Sequence, residues 1–238
     1  YVDQPVGTGF SHSSLPHLNT NEEEISENMA QFLIKFLEVY PQLQGKDFYI
    51  TGESYAGHYI PAIAHSLVFI HKDQLKMNFK GMAIGNGLVS PYDQYPAYAT
   101  FAEENKLVGH TEFDVLKGLY KGCQLLIETG VWLIAEEFCE ISVDVILGFP
   151  LAPRFNVYDI REKCVNPPLC YDMSPADNML GEKEIQKILG VEGRKWAECT
   201  NTVHIALIGD WIVNLGPKIA DLLHEGLDVL VYSGDKDF

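Results

Sequence analysis

The sequence has few basic residues, and this shortage limits the partners that the protein can bind. Its 238 residues include 17 Lys and Arg against 33 Asp and Glu, which gives a formal net charge of −16. Such a chain repels the phosphates of nucleic acids on average. Long apolar runs are also missing, since the longest lies around residues 141–151 and a bilayer span needs about 20 residues. We therefore expect neither a nucleic-acid partner nor a membrane partner.

Patterns for glycosylation and for metal binding are missing as well. No Asn-x-Ser/Thr triplet occurs, so the sequence offers no acceptor for an N-linked glycan. No pair of His or Cys has a close ligand spacing on a predicted helix, apart from Cys164 and Cys170, which a disulfide explains better. We predict no metal ion and no cofactor.

The cysteines form an odd set, which leaves at least one of them without a partner in a disulfide-bonded protein. They are Cys123, Cys139, Cys164, Cys170 and Cys199. Five reduced cytosolic thiols are one interpretation. The short loop from Cys164 to Cys170, which contains Pro167 and Pro168, favours disulfides and a secretory compartment instead.

Both ends of the chain indicate a segment of a longer protein. The sequence begins at Tyr1 rather than at a methionine, and Phe238 follows closely on a predicted buried strand. The 47% of apolar residues is nevertheless enough to fill a sizeable core.

Apolar spacing and turn residues predict strands that alternate with helices. The predicted elements are a helix that Asn21 or Thr20 caps and Pro41 ends, a strand at Asp47–Thr51, a helix at Ala56–Phe69, a strand at Phe79–Ile84, a helix at Trp211–Leu223 and a strand at Leu227–Tyr232. This alternation is typical of a parallel α/β sheet. This alternation of strands and helices stops in residues 91–205, which contain all five cysteines. We predict one discontinuous α/β domain, with a core at 1–90 and 206–238, a mainly helical insertion at 91–205, and a core truncated at both ends.

The most informative motif is the stretch Gly52-Glu53-Ser54-Tyr55-Ala56-Gly57, which lies between a predicted strand and a predicted helix. A sharp strand-to-helix turn lifts a serine hydroxyl clear of the sheet at the positive end of the new helix, where it can act as a nucleophile. Ala56 stands where such turns usually have glycine. A helix-capping serine is the alternative interpretation.

Two carboxylates follow the last predicted strand and are candidates for the acid of a Ser-His-Asp triad. Asp235 and Asp237 both qualify by location, and at least one of them is expected to be a solvated turn residue. All eight histidines precede this acid, whereas the triad order of this fold class places the histidine after it. We interpret His58 as structural, and His204 and His224 lie on the wrong side of the acid.

Several separated motifs resemble the serine carboxypeptidase family, with its vacuolar, lysosomal and plant branches. The matching stretches are DQPVGTGFS, GESYAGHYIP, KGMAIGNGLVSPYDQY, NVYDIREKC, LCYD and VLVYSGDKDF, and they run through the whole chain in the family's order. The resemblance implies an α/β-hydrolase core, a helical insertion over the active site, and the removal of single residues from peptide C-termini at acidic pH. Peptides or proteins are the implied substrates, in a vacuole, a lysosome or a secreted setting.

The resemblance also assigns roles to single residues. Ser54 matches the nucleophile, and Asp237, in the Gly-Asp-x-Asp turn, matches the triad acid. Tyr55 would give a backbone N–H to the oxyanion hole and a ring to the side-chain pocket. Glu53 would be a protonated glutamic acid that holds the substrate's terminal carboxylate. Trp211 resembles a wall of the same pocket, although a core tryptophan is also consistent with its position.

Three elements of the family pattern have no counterpart in this chain: the triad histidine, the glycine-rich oxyanion segment and the asparagine that partners the glutamic acid. By the same resemblance, Cys199 pairs with a cysteine outside the chain. The other proposed bridges are Cys123–Cys139 and Cys164–Cys170. Without the triad histidine, the Ser54 hydroxyl has no base, and the 238 residues alone are expected to be inactive.

Two rival functions stay open. An acyltransferase on the same scaffold passes the acyl group to an alcohol instead of water. A non-catalytic relative would use the fold as a binding or stabilising partner, although this chain retains both Ser54 and Asp237.

Overall fold

The computed structural model describes residues 1–14, 17–151, 153–167 and 170–238. Its helices and strands, in chain order, are α1 (Glu22–Val39), β1 (Asp47–Glu53), α2 (Ala56–His65), β2 (Asn78–Gly85), α3 (Pro91–Glu104), α4 (His110–Glu128), α5 (Trp132–Leu147), α6 (Ser174–Gly181), α7 (Lys183–Leu189), α8 (Asn201–Leu207), α9 (Gly216–His224) and β3 (Asp228–Tyr232). None of these helices is both long and apolar enough to cross a membrane within the described ranges.

The three strands form a parallel sheet in the order β1-β2-β3. The first pair runs from Asp47 opposite Asn78 to Glu53 opposite Gly85. The second pair ends with Gly85 opposite Tyr232. Because all three strands run the same way, their carboxyl ends meet at one edge of the sheet, where α/β proteins bind their ligands.

One face of the sheet packs against helices α1, α2 and α9. Phe48 and Ile50 of β1 point to this face and join buried side chains from α1 and α2 such as Leu37 and Ile63. Tyr49, which alternates to the other face, is 54% exposed. In the described part of the chain, the helical cover of the sheet therefore lies on one side.

A second apolar core lies among the helices of the predicted insertion. Leu116 and Tyr120 of α4 are buried there with Ile146 of α5. The disulfide between Cys123 and Cys139 joins these two helices. A second disulfide closes the loop from Cys164 to Cys170, so the structure contains both bridges that the resemblance implies. Cys199 is free and exposed.

The predicted helix boundaries differ from the structure mainly near Trp211. Helix α1 begins as predicted, because the side chain of Asn21 accepts a hydrogen bond from the backbone N–H of Glu24 at 2.9 Å. The start of the predicted helix at Trp211 is wrong, since helix α9 begins only at Gly216. Pro217 in its first turn explains the later start, because proline has no N–H and its φ suits that position.

Candidate active site

Ser54 lies on a sharp turn between the end of β1 and the start of α2. Its φ is +61°, a left-handed conformation that serine rarely adopts. Three backbone hydrogen bonds fix this turn: the N–H of Ser54 donates to the carbonyl of Gly85 at 3.1 Å, and its carbonyl accepts from Gly57 at 3.0 Å and from Leu88 at 3.1 Å. The side chain is exposed at the carboxyl edge of the sheet. A serine on such a turn has its hydroxyl clear of the sheet, which is the geometry that a nucleophile of this fold class requires.

Close packing around the turn leaves no room for a side chain at positions 52 and 57, on either side of the alanine that stands in place of the usual glycine. A Cβ on Gly52 would lie 2.6 Å from the Cβ of Ala56, so glycine at position 52 makes room for the methyl group of Ala56. A Cβ on Gly57 would lie 2.4 Å from the carbonyl oxygen of Leu88. The glycine that this turn needs is therefore at position 57, against the loop that follows β2.

Gly57→Ala is expected to lower the free energy of unfolding by about 3 kcal/mol, because the new methyl group meets backbone that cannot move aside cheaply. Gly118→Ala is the matched control. Gly118 is inside α4, and a methyl group added there would meet no atom of the described residues within 4 Å, so this change is expected to add about 0.5–1 kcal/mol through helix propensity. Denaturant unfolding of both variants measures the difference. Equal effects in the two variants would contradict the close packing at position 57.

Asp237 lies beyond the end of β3, where Asn86 holds its carboxylate. The Nδ2 of Asn86 donates to Oδ2 of Asp237 at 2.6 Å and also lies 3.2 Å from the hydroxyl of Ser233. Burial raises the pKa of Asp237, and the hydrogen bond from Asn86 opposes that rise. The other candidate acid, Asp235, has a side chain that is 91% exposed. The structure thus distinguishes a held carboxylate at 237 from a solvated one at 235.

Asn86 is a site residue that the sequence reasoning missed. It follows β2, has a φ of +44°, and donates its backbone N–H to the carbonyl of Tyr232 at 2.9 Å. The sequence signal is the Gly85-Asn86-Gly87 triplet, which by itself indicates only a turn after a strand. Because β2 lies between β1 and β3, a side chain at its carboxyl end is well placed to reach the loop after β3.

Glu53 lies where two clefts meet. One cleft, of about 540 Å³, contains Asp237 and is also lined by Tyr158 and Tyr171 from the predicted insertion. The other, of about 830 Å³, contains Ser54. Glu53 lines both clefts and is exposed. A ligand that reaches the Ser54 hydroxyl therefore passes close to this carboxylate.

An aromatic wall flanks the turn of Ser54. The ring of Tyr55 lies 4.8 Å from that of Trp211 and 4.7 Å from that of His58, measured between centroids. Trp211 is fixed from its edge as well, since its Nε1 donates to the hydroxyl of Tyr95 at 2.9 Å. That hydroxyl in turn donates to Glu140, whose pKa is raised by burial. Residues of the predicted insertion thus hold one side of the pocket.

The structure does not bring an imidazole between Ser54 and Asp237. His58 is fully buried, and its Nδ1 donates to the carbonyl of Leu88 at 2.6 Å, which agrees with its interpretation as structural. His204 is exposed and lines the cleft of Ser54, with its ring edge-on to Trp211. Among the residues that the structure describes, no histidine forms a hydrogen bond with Ser54 or Asp237.

Comparison with known proteins decides the family. The profile of the serine carboxypeptidase family matches residues 1–238, the whole chain. The chain belongs to the serine carboxypeptidase family. Serine carboxypeptidase-like 47 of Arabidopsis thaliana is 40% identical over 247 residues, which cover all of this chain and 48% of that protein. Serine carboxypeptidase 3 of Hordeum vulgare is 35% identical over 249 residues, with the same coverage of 100% and 48%.

A solved structure confirms the α/β-hydrolase fold for this serine carboxypeptidase family member. The crystal structure of Kex1(delta)p, a prohormone-processing carboxypeptidase from Saccharomyces cerevisiae, superposes with a TM-score of 0.84 at 26% identity. The match covers 99% of this chain and 55% of the solved chain. The chain spans about half the length of the curated relatives it matches.

Proposed function

We propose that this chain carries the nucleophile and the triad acid of an enzyme that removes C-terminal residues from peptides at acidic pH. The observation that carries the proposal is the position of Ser54, exposed on a positive-φ turn at the end of β1. Asp237 lies at the same edge of the sheet, beyond the end of β3. This is the strand placement that a Ser-His-Asp triad needs in this fold.

The reaction we propose begins with attack of the Ser54 hydroxyl on the last peptide bond. A histidine from outside residues 1–238 takes the serine proton and passes it to the leaving amino acid, while Asp237 orients that imidazole. The backbone N–H of Tyr55 stabilises the oxyanion, a contribution of about 3 kcal/mol for donors of this kind. Water then hydrolyses the acyl-enzyme. The ring of Tyr55 and that of Trp211 contact the side chain before the scissile bond.

Glu53 provides the test of exopeptidase function, because we propose that it binds the terminal carboxylate. The assay compares kcat/KM for a peptide with a free C-terminus and for the same peptide amidated, in the native protein that carries this chain with its own flanking sequence. Glu53→Ala is expected to reduce the preference for the free carboxylate by about 10-fold or more, since a hydrogen bond to a charged group is lost. Glu53→Gln is expected to keep part of it.

Asp235→Asn is the matched control, because Asp235 is an exposed acid that lines the neighbouring cleft. It is expected to leave the preference unchanged. A wild-type protein that cleaves amidated peptides as fast as free ones contradicts exopeptidase function. Transfer of the acyl group to an added alcohol in place of water would favour the acyltransferase alternative, and no turnover of either kind would favour the non-catalytic one.

We also propose a secretory setting, which is a vacuole, a lysosome or the cell exterior. Its support is the pair of disulfides, Cys123–Cys139 and Cys164–Cys170, because such bonds persist in oxidising compartments and are rare in the cytosol. The acidic sequence pI of about 4.8 is compatible with each of these locations.

A further inference from the structure

Two carboxyl groups are buried beneath the wall of the candidate active site. Glu22 is the first residue of α1 and is 2% exposed, and Asp210 lies in the turn after α8 and is 5% exposed. The backbone N–H of Glu22 donates to Oδ1 of Asp210 at 3.2 Å. The two residues are 188 positions apart in the sequence, so only the fold brings these two acids together.

Little around this carboxyl pair compensates for two negative charges. Both carboxyl oxygens of Glu22 and Oδ2 of Asp210 are buried without a hydrogen-bond partner in the described structure, as is the hydroxyl of Tyr55. The titratable groups that face the pair are Glu23, Tyr55, Tyr59 and Lys218. Lys218 is the cation of this set, and it forms no ion pair within the described ranges. A protonated carboxyl, by contrast, gives these oxygens an O–H donor.

The environment favours the protonated form of both acids. Burial raises the pKa of Glu22, and the nearby charge of Asp210 raises it further. Burial likewise raises the pKa of Asp210, partly offset by the backbone N–H of Glu22. His58, which stacks on Tyr55, has a pKa lowered by burial and adds no opposing positive charge at neutral pH.

The pair is connected directly to the two rings of the aromatic wall. Asp210 immediately precedes Trp211, and Tyr55 immediately follows Ser54. Burial, and after it the nearby charge of Asp210, raises the pKa of the Tyr55 hydroxyl, while the rings of Tyr55 and Trp211 lie 4.8 Å apart. A change in the charge of the pair therefore acts on Tyr55, whose backbone N–H stabilises the oxyanion in the proposed function.

We propose that Glu22 and Asp210 are positioning residues, a buried pair of acids that holds Tyr55 and Trp211 in place while at least one acid is protonated and whose full ionisation loosens the wall. The positioning role rests on the proposed peptidase function. Because the folded protein binds these protons more tightly than the unfolded chain, the stability from the pair is present below the ordinary carboxyl pKa and is lost as the pH rises above it. The pair therefore sets an upper limit to the pH at which the site stays folded.

Glu22→Gln and Asp210→Asn test the pair, because each amide resembles the neutral acid and does not ionise. Thermal unfolding of the native protein is measured at pH 5 and at pH 8. At pH 8 each variant is expected to have a Tm at least about 3 °C above the wild type, and at pH 5 the difference is expected to be smaller or reversed. Glu192→Gln, at an exposed acid, is expected to follow the wild-type curve. Variants that lose stability in parallel with the wild type overturn the proposal.

A second readout separates positioning from stability alone. In both amide variants the alkaline limb of kcat/KM is expected to move up by about half a pH unit or more. Acrylamide quenching of Trp211, in a background where Trp132, Trp196 and any tryptophan of the flanking sequence are replaced by Phe, is expected to rise with pH in the reference protein and to stay flat in the amide variants. Unchanged quenching overturns the positioning role even if the Tm values shift. A wild-type protein that hydrolyses no peptide refutes the proposed function, whereas Tm and quenching still decide on the pair.

Discussion

Replacing Ser54 with alanine is expected to lower kcat for peptide hydrolysis by about 10⁶-fold, the loss that removal of the nucleophile causes in other serine proteases. In the proposed mechanism the acyl-enzyme forms on the Ser54 oxygen, and the other hydroxyl of this turn, that of Tyr55, is buried. Three backbone hydrogen bonds hold the turn, and none of them involves the Ser54 hydroxyl. The variant should therefore fold normally, with a KM and a Tm close to those of the wild type.

The measurement combines steady-state kinetics with labelling by a fluorophosphonate, which reacts with an activated serine. Ser54→Ala is expected to lose both turnover and labelling. Ser90→Ala is the control, since the hydroxyl of Ser90 donates to Asp93 and the residue lines neither cleft of the site. Labelling that survives in Ser54→Ala would place the nucleophile elsewhere and refute the proposed mechanism.

Local patterns are sufficient to predict the position of the Ser54 turn. A strand, a turn flanked by small residues and a helix follow one another within about 20 residues, and each signal depends on neighbours in the chain. The structure has β1 and α2 on either side of the serine, with the positive φ that such a turn requires. The role of Ser54 as nucleophile stays a prediction that kinetics must test.

Contacts between distant segments are beyond sequence reasoning. Asn86 and Asp237 are 151 residues apart, and no local pattern pairs an amide in one turn with a carboxylate in another. The same holds for Glu22 and Asp210, which the sequence presents as an ordinary helix-start acid and a turn acid. Likewise, the need for glycine at position 57 comes from the carbonyl of Leu88 in a loop that follows another strand.

Replacing Asp237 with asparagine is expected to lower kcat by about 10⁴-fold, because an amide cannot stabilise the imidazolium and favours the wrong tautomer of the histidine. Burial and the hydrogen bond from Asn86 already fix the carboxylate, so the exchange of one oxygen for an NH₂ group changes the chemistry with little change in shape. Asp235→Asn, at the exposed acid of the same turn, is expected to leave kcat within about twofold.

Asn86→Gly tests whether the hydrogen bond from Asn86 supports the carboxylate of Asp237. Glycine accepts the φ of +44° at this position, so the change removes mainly the donor to Oδ2 of Asp237. Loss of that hydrogen bond allows the pKa of Asp237 to rise further, and in the proposed mechanism this acid must be ionised to orient the imidazole. The acid limb of kcat/KM should move to higher pH, with a fall in kcat of about 10-fold or more. Ser233→Ala, which removes the other contact of the same amide, should leave that limb in place. If Asn86→Gly and Ser233→Ala give the same pH profile, Asn86 does not act through the carboxylate of Asp237.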